Sequence, residues 1–500
     1  MKKLRVNLLS IIFLSFIFSI NLLSAFGSKN SWIDVQQKLK NGVVQVFSKI
    51  NYFNWSEPYK NLYQEGGSGS GFFIKLNNNI FILTNYHVVK EAIDIKIQIP
   101  GCGKQQFYVD IIGVFPEGDI AVLALTDQSY KDVKNILGDI NCLILGDSDY
   151  VVRAQEVMAV GYPLGQERLK STIGIVSGRE CDGMIQISAP VNNGNSGGPT
   201  VNDKGEVIGI NTSKRIDADN VGYMLPITEV KAVIENLKNV RLLKKIYYGW
   251  LATHSTPEIV KTSKNPEPGG LLIVNVVENS IAQAYGIQAG DMLYGVNGYK
   301  VDRFGEIVVP WSEDKISVYD YLNRFTIGKI VNFVFYRNGK KIDLNIKLTD
   351  DYNPVVDYVY PEFEPEKLDY EILGGIVVMQ LTMNHVYLFM DNNDQLINYT
   401  HKELPQEPAL IITHVLQNSQ AGDSRLLAGG ELIDIINGIK VKTLAEFRNA
   451  VLDSKTSGYF TLKTKDSVFV VLSMEKILQE EDYLSKQYYY PKSRLLESFV

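Results

Sequence analysis

One serine stands among glycines in Gly194-Asn195-Ser196-Gly197-Gly198-Pro199. A hydroxyl is a weak nucleophile until a base takes its proton, so chemistry at Ser196 needs an imidazole and a group that orients it. Glycines on both sides let the backbone turn tightly and bring N–H groups toward a reacting carbonyl, which is what an oxyanion hole requires. Upstream lie Thr84-Asn85-Tyr86-His87-Val88-Val89 and Gly118-Asp119-Ile120-Ala121-Val122-Leu123. The order His87, Asp119, Ser196, with gaps of 32 and 77 residues, is one of three chain orders in which a Ser–His–Asp triad occurs.

Counting supports the same assignment. The chain has five histidines, His87, His254, His385, His401 and His414, and only the first lies in the β-rich N-terminal part. A base drawn from the same domain as Ser196 is therefore His87. A lone histidine at a strand end is ordinarily structural, and the two neighbouring motifs outweigh that reading. Asp119 sits where an apolar run begins; Asp110 and Asp127 are the alternatives should it be a plain turn residue.

The elements that must hold these residues are short. From Asn41 to about Ile227, β-branched and aromatic runs alternate with Gly, Asn, Asp and Pro, as in Gly71 to Leu76, Ile80 to Asn85 and Glu206 to Asn211. That pattern predicts an all-β barrel or sandwich. Helical spacing from Thr228 through Leu237 predicts a helix that closes the domain. Two similar modules follow about 140 residues apart, the first through Gly270 to Val277, Ala289-Gly290-Asp291 and Asn297-Gly298, the second through Ala409 to Leu416, Gly429-Gly430-Glu431 and Asn437-Gly438. This is a divergent internal repeat. Between them, residues 350–369 are rich in Pro, Asp and Glu and read as a linker with little core of its own. The expected organisation is a signal over 1–27, a catalytic domain over 28–240, repeat modules over 241–349 and 370–478, and a tail over 479–500.

Composition narrows the class. Of 500 residues, 45% are hydrophobic, enough for several packed cores, and a net charge of −6 without long single-sign blocks gives no case for nucleic acid. Lys2, Lys3 and Arg5, an apolar stretch from Leu8 to Leu23, and Ala25-Phe26-Gly27 have the layout of a secretory signal, an uncleaved anchor being the alternative. Cys102, Cys142 and Cys181 lie far apart, so no disulfide is assigned. Neither metal nor organic cofactor is called for, and no G-x-x-x-x-G-K-[ST] phosphate loop occurs.

At these residues the sequence resembles the HtrA/DegP family of exported serine proteases. Supporting stretches are Gly67-Ser68-Gly69-Ser70-Gly71-Phe72, the three triad motifs, Val160-Gly161-Tyr162-Pro163-Leu164-Gly165, Gly174-Ile175-Val176-Ser177 and Gly222-Tyr223-Met224-Leu225-Pro226. The resemblance implies a mainly β protein: a chymotrypsin-like double β-barrel followed by two PDZ domains. The second of these, with Tyr370-Glu371-Ile372-Leu373-Gly374-Gly375, is most similar to the plant-type Deg branch. It further implies acyl transfer by Ser196, His87 and Asp119, with an oxyanion hole at Gly194 and Ser196 N–H. Substrate would add as a strand beside Ile210, Asn211, Thr212 and Ser213, with Pro190, Val191 and Tyr223 shaping an apolar pocket. Tyr248, Gly249, Trp250 and Leu251 would capture C-terminal carboxylates in the first PDZ. Unfolded exported polypeptides at the periplasm or cell envelope are the implied substrates, and trimers or their multiples the implied assembly, with Trp32, Tyr52, Phe53 and Trp55 as candidate contacts. A PDZ-based chaperone or scaffold, with proteolysis secondary, is the alternative. The chain ends Ser498-Phe499-Val500, a form PDZ grooves accept, so the tail is a candidate competitor for such a groove.

Overall fold

The computed structural model describes residues 31–499 except 61, 62, 181, 213–220, 352, 402, 403 and 405. The expected signal, Ser213 and Cys181 lie outside the described residues. The first six strands are β1 (Val43–Tyr52), β2 (Tyr63–Leu76), β3 (Asn79–Thr84), β4 (Ala92–Gln98), β5 (Gln106–Phe115) and β6 (Ile120–Leu125). They close into a barrel in the order β1-β2-β3-β6-β5-β4. The next six are β7 (Glu156–Gly161), β8 (Lys170–Arg179), β9 (Ile185–Ile187), β10 (Pro199–Val201), β11 (Val207–Thr212) and β12 (Gly222–Pro226), closing a second barrel as β10-β11-β12-β9-β8-β7.

Strand alternation explains how the barrels pack. Phe73, Ile82 and Leu123 fill the first barrel, while their neighbours Phe72, Leu83 and Val122 point outward into a core shared with the second. In β7, Val157 and Ala159 fill the second barrel, and Met158 and Val160 meet the first. Because successive side chains face opposite ways, a strand apolar on both faces serves an interior and an interface at once. The helix Ile227–Leu237 lays Ile227, Val230, Val233, Ile234 and Leu237 on that shared core.

The two repeat modules are each built on an antiparallel sheet. In the first, strands run in the order Trp250–Thr253, Leu271–Val276, Met292–Val296, Ile330–Arg337, Lys340–Lys347. In the second the order is Tyr370–Leu373, Ile376–Gln380, Leu410–Val415, Leu432–Ile436, Tyr459–Thr464, Phe469–Ser473. The repeat is visible in detail: Val277 N donates to Gly249 O at 2.9 Å, and Leu416 N to Gly375 O at 2.8 Å. At both glycines φ is positive, and a Cβ would lie 2.0 Å from Ser280 in the first module and 2.0 Å from Ser419 in the second.

Segment 350–369, which reads as a linker with little core of its own, packs on a neighbouring core. Val356, Val359 and Tyr360 are buried, and Tyr358, Tyr360 and Phe363 pack on the first barrel's core. Its aromatic residues outweigh the Pro and acid composition that suggested a linker. Residues near the C-terminus are also folded: Leu484 and Tyr490 are buried, and Leu496 and Phe499 pack on the second module's core rather than along a strand. Phe53 and Trp55 are engaged within the chain, joining Met379, Met383 and Val386 of the second module. Among the described residues no helix is long and apolar enough to cross a membrane.

Candidate active site

Pairing of β3 with β6 sets Thr84 opposite Ala121, which brings the residues just beyond one strand and just before the other together. His87 sits in the four-residue helix Tyr86–Val89, and Asp119 ends the turn Pro116–Gly118 with φ of 53°. Asp119 Oδ2 lies 2.9 Å from His87 Nδ1, and Oδ1 accepts from His87 N at 2.9 Å. A carboxylate only accepts, so Nδ1 carries the proton and Nε2 is left as the basic nitrogen. Asn85 Nδ2 donates to Asp119 O at 3.0 Å, and Thr212 Oγ1 donates to Asp119 Oδ2 at 3.4 Å.

Ser196 comes from the second barrel, just ahead of β10. Gly197 brings the two together: its φ is 85°, and a Cβ there would stand 2.1 Å from Ser70 O and 2.2 Å from Thr84 Oγ1. The absent side chain lets the serine turn press on the strand that leads to His87. Ser70 then acts as a buried hub. Its N–H donates to Ser196 O at 2.8 Å, its hydroxyl donates to Gly194 O at 2.6 Å, and the same oxygen accepts from Tyr162 N at 2.9 Å. Among the described residues no hydrogen bond joins the Ser196 hydroxyl to the His87 ring. Such contacts tighten when substrate binds.

The turn leaves two donors free. Asn195 N, Gly197 N and Gly198 N are all paired, to Asn192 O, Asn211 O and Asn195 O, whereas among the described residues Gly194 N and Ser196 N donate to nothing. Both peptide planes are held from behind, because Leu164 N donates to Asn193 O at 2.6 Å and Gly198 N to Asn195 O at 3.0 Å. Two unpaired N–H groups on fixed planes beside a serine are suited to a developing negative oxygen.

The substrate-facing residues are placed less openly. Ile210, Asn211 and Thr212 are buried in β11, between β10 and β12, and Ser213 is outside the described residues. Asn211 Nδ2 donates to Val160 O at 3.0 Å, which ties β11 to β7. Val191 and Tyr223 are buried and Pro190 is half-buried nearby. Sequence reasoning missed the hub at Ser70 and the Thr212 contact. Ser70 was visible only as part of a Gly-Ser stretch, and Thr212 only as part of the strand beside which substrate would add.

In the first repeat module, Tyr248-Gly249-Trp250-Leu251 leads into a strand at the end of its sheet, so among the described residues one edge of it is unpaired. Gly249 is fixed by its Ser280 contact, Trp250 is core, and Leu251 is half-buried. The second module differs: Tyr370–Leu373 turns through Gly374 and Gly375 and pairs with Ile376–Gln380, whose other edge holds Leu410–Val415. The edge left open in the first module is filled in the second.

Two closed six-stranded barrels, with His87 and Asp119 paired on the first and Ser196 carried by the second, and two repeat modules after them, have the architecture of a chymotrypsin-like serine protease. Comparisons agree. The trypsin-like peptidase domain family matches residues 69–210, and the PDZ domain family matches 359–494. The chain is 29% identical over 332 residues to the serine protease Do-like HtrA of Bacillus subtilis, covering 61% of this chain and 68% of that protein. It is 28% identical over 400 residues to the periplasmic serine endoprotease DegP of Salmonella typhimurium, covering 78% of this chain and 72% of that one. Among solved structures, the HtrA-type protease AlgW with decapeptide aligns with 64% of this chain and 98% of its own, at 22% identity and a TM-score of 0.48. These likenesses support an HtrA-family serine protease.

Proposed function

We propose that this serine protease is an ATP-independent endopeptidase of the cell envelope that cuts unfolded exported proteins, with Ser196 as nucleophile, His87 as general base and acid, and Asp119 as the group that orients the ring. Ser196 Oγ forms a bond to the peptide carbonyl carbon as its proton passes to His87 Nε2. Gly194 N and Ser196 N bind the oxygen that becomes negative. Collapse breaks the C–N bond, and His87 returns the proton to the leaving amine; water then repeats the sequence to free the acid.

The observation that carries this reading is the close approach allowed by Gly197, which sets the Ser196 turn against the strand leading to a His87 ring already bonded to Asp119. The His87 side chain is 46% exposed, which leaves room for a polypeptide to approach. An envelope location is supported by relatives named periplasmic, and capture of C-terminal peptides by the open edge at Trp250–Thr253. The second PDZ is read as plant-type on its 370–375 stretch, and the assembly as trimer-based, with Trp32 and Tyr52 the aromatic candidates not engaged with the second PDZ. Replacing Ser196 by Ala and following unfolded casein by gel tests the central claim: digestion stops in the variant, and equal digestion by variant and parent refutes it.

A further inference from the structure

Segment 355–364 packs beside the two short elements that carry His87 and Asp119. Glu362 Oε1 accepts from Tyr86 OH at 2.6 Å and from Glu91 N at 3.2 Å. Tyr86 opens the short helix that carries His87, and Glu91 follows that helix with φ of 53°. One carboxylate oxygen therefore grips both ends of the element that presents the imidazole. Two residues earlier, Tyr360 sets its ring edge-on to Tyr86, with centroids 6.2 Å apart, and burial together with the nearby Glu117 carboxylate raises the pKa of its hydroxyl. Glu117 lies in the turn Pro116–Gly118 that ends at Asp119.

The grip is itself braced. Tyr360 N donates to Glu364 Oε2 at 3.1 Å, and Glu364 Oε1 accepts from Lys244 at 3.1 Å and from Lys367 at 2.7 Å. Tyr86 and Tyr360 are buried, and burial beside carboxylates raises both phenols far above their usual range, so both hydroxyls stay donors. The other Glu362 oxygen is buried and, among the described residues, has no hydrogen-bond partner. A buried carboxylate oxygen left unmatched disfavours the fold, so a residue chosen for stability alone would be apolar here.

We propose that Glu362 and Tyr360 are positioning residues for proteolysis: they set the His87 helix and the Asp119 turn relative to each other, and they tie that geometry to the segment connecting the two PDZ domains. This rests on the roles proposed above for His87, Asp119 and Ser196. Neither residue touches substrate. Each acts through Tyr86 or Glu117, so the turnover number is sensitive to them and substrate affinity is not.

The test is steady-state cleavage of a short fluorogenic peptide by the full chain, with active sites counted by fluorophosphonate labelling. Tyr86→Phe deletes a single oxygen and keeps the ring, so it spares the fold; Glu362→Ala and Tyr360→Phe remove the partners. Each variant is expected to lower kcat per labelled site by about tenfold while KM stays within about twofold, because sub-ångström displacement of a general base costs rate rather than binding. Glu362→Gln, which keeps an acceptor for Tyr86, returns kcat to within about threefold of the parent. Tyr86→Phe combined with Glu362→Ala loses no more than Glu362→Ala alone, since that substitution already deletes the Tyr86 contact. Parental kcat per labelled site in Tyr86→Phe and Glu362→Ala overturns the proposal, as does a loss that lies wholly in the number of labelled sites. A Ser196→Ala chain that still cuts is a different result and overturns the reading of the site itself.

Discussion

Thr212 Oγ1 donates to Asp119 Oδ2 at 3.4 Å, so a hydroxyl from the second barrel touches a carboxylate carried by the first. The carboxylate is thereby held from three sides, by the His87 ring, the His87 backbone amide and Thr212. Thr212→Ala is expected to lower kcat by about tenfold, the scale of one hydrogen bond to a charged group. Thr212→Ser keeps the hydroxyl and most of the rate. Steady-state kinetics on a peptide substrate checks both, and equal rates for the two variants argue against the contact.

Gly197→Ala tests the approach of the barrels. The added methyl meets Ser70 O and Thr84 Oγ1 at φ of 85°, so both strain and overlap oppose it. Gly138 has φ of 76° with open space around it, so Gly138→Ala carries the strain without the overlap. Destabilisation of about 1 kcal/mol is expected at Gly138 and more than about 3 kcal/mol at Gly197, with activity lost only in the second. Calorimetric melting of the parent and both variants separates the two effects.

Peptide capture should be confined to one PDZ domain per chain. The strand Trp250–Thr253 has an open edge, and the corresponding strand Ile376–Gln380 is flanked by Tyr370–Leu373 and Leu410–Val415. Calorimetric titration with a peptide ending in an apolar residue is expected to return one site per chain. Gly249→Ala, which drives a methyl to 2.0 Å from Ser280, removes that site. Two equivalent sites, or full binding by the variant, contradict this reading.

Stability at the junction between the protease domain and the first PDZ is expected to depend on pH. Arg324 ion-pairs with Asp149 and lies 3.8 Å from Glu229, and its guanidinium stacks on Trp311 at 3.8 Å. Burial pushes Glu229 up from 4.5 to about 7, against the pull of Arg324 and Arg179, with Asp149 and Asp320 adding to the rise. The folded chain keeps a proton that the unfolded chain releases across that window. The contribution of Glu229 to stability therefore falls as pH rises from about 4.5 through about 7. Melting temperature followed over this range, with Trp311 fluorescence as the local reporter, is expected to flatten in Glu229→Gln.

At the other junction the sign is opposite. His385 is buried against Trp55, their rings 5.0 Å apart, and burial lowers it from 6.5 to about 3. The unfolded chain takes up the proton first, so this contact weakens as pH falls below about 6.5.

Much of the catalytic part was legible because its chemistry is encoded locally. Residue types and order pointed to His87, Asp119 and Ser196, and period-two alternation announced strands apolar on both faces, such as the one carrying Phe72 and Phe73. The helix expected from Thr228 to Leu237 appears as Ile227–Leu237, since its apolar spacing already described the face it buries. Glycines at 249 and 375 marked equivalent turns in the two repeats.

What composition obscured was decided by contacts distant in sequence. Residues 350–369 read as a linker with little core of its own because Pro, Asp and Glu dominate their count, yet three aromatic side chains among them find a surface on the first barrel. Phe53 and Trp55, read from sequence as candidate contacts between subunits, pack on the second PDZ within one chain. Local patterns determine which residues can form a strand, a turn or a nucleophile, because those depend on neighbours a few positions away. Only the folded chain decides that Ser70 ties two barrels, that Thr212 reaches Asp119 and that Glu362 grips the His87 helix. Each of these depends on where separate parts of the backbone come to rest against each other.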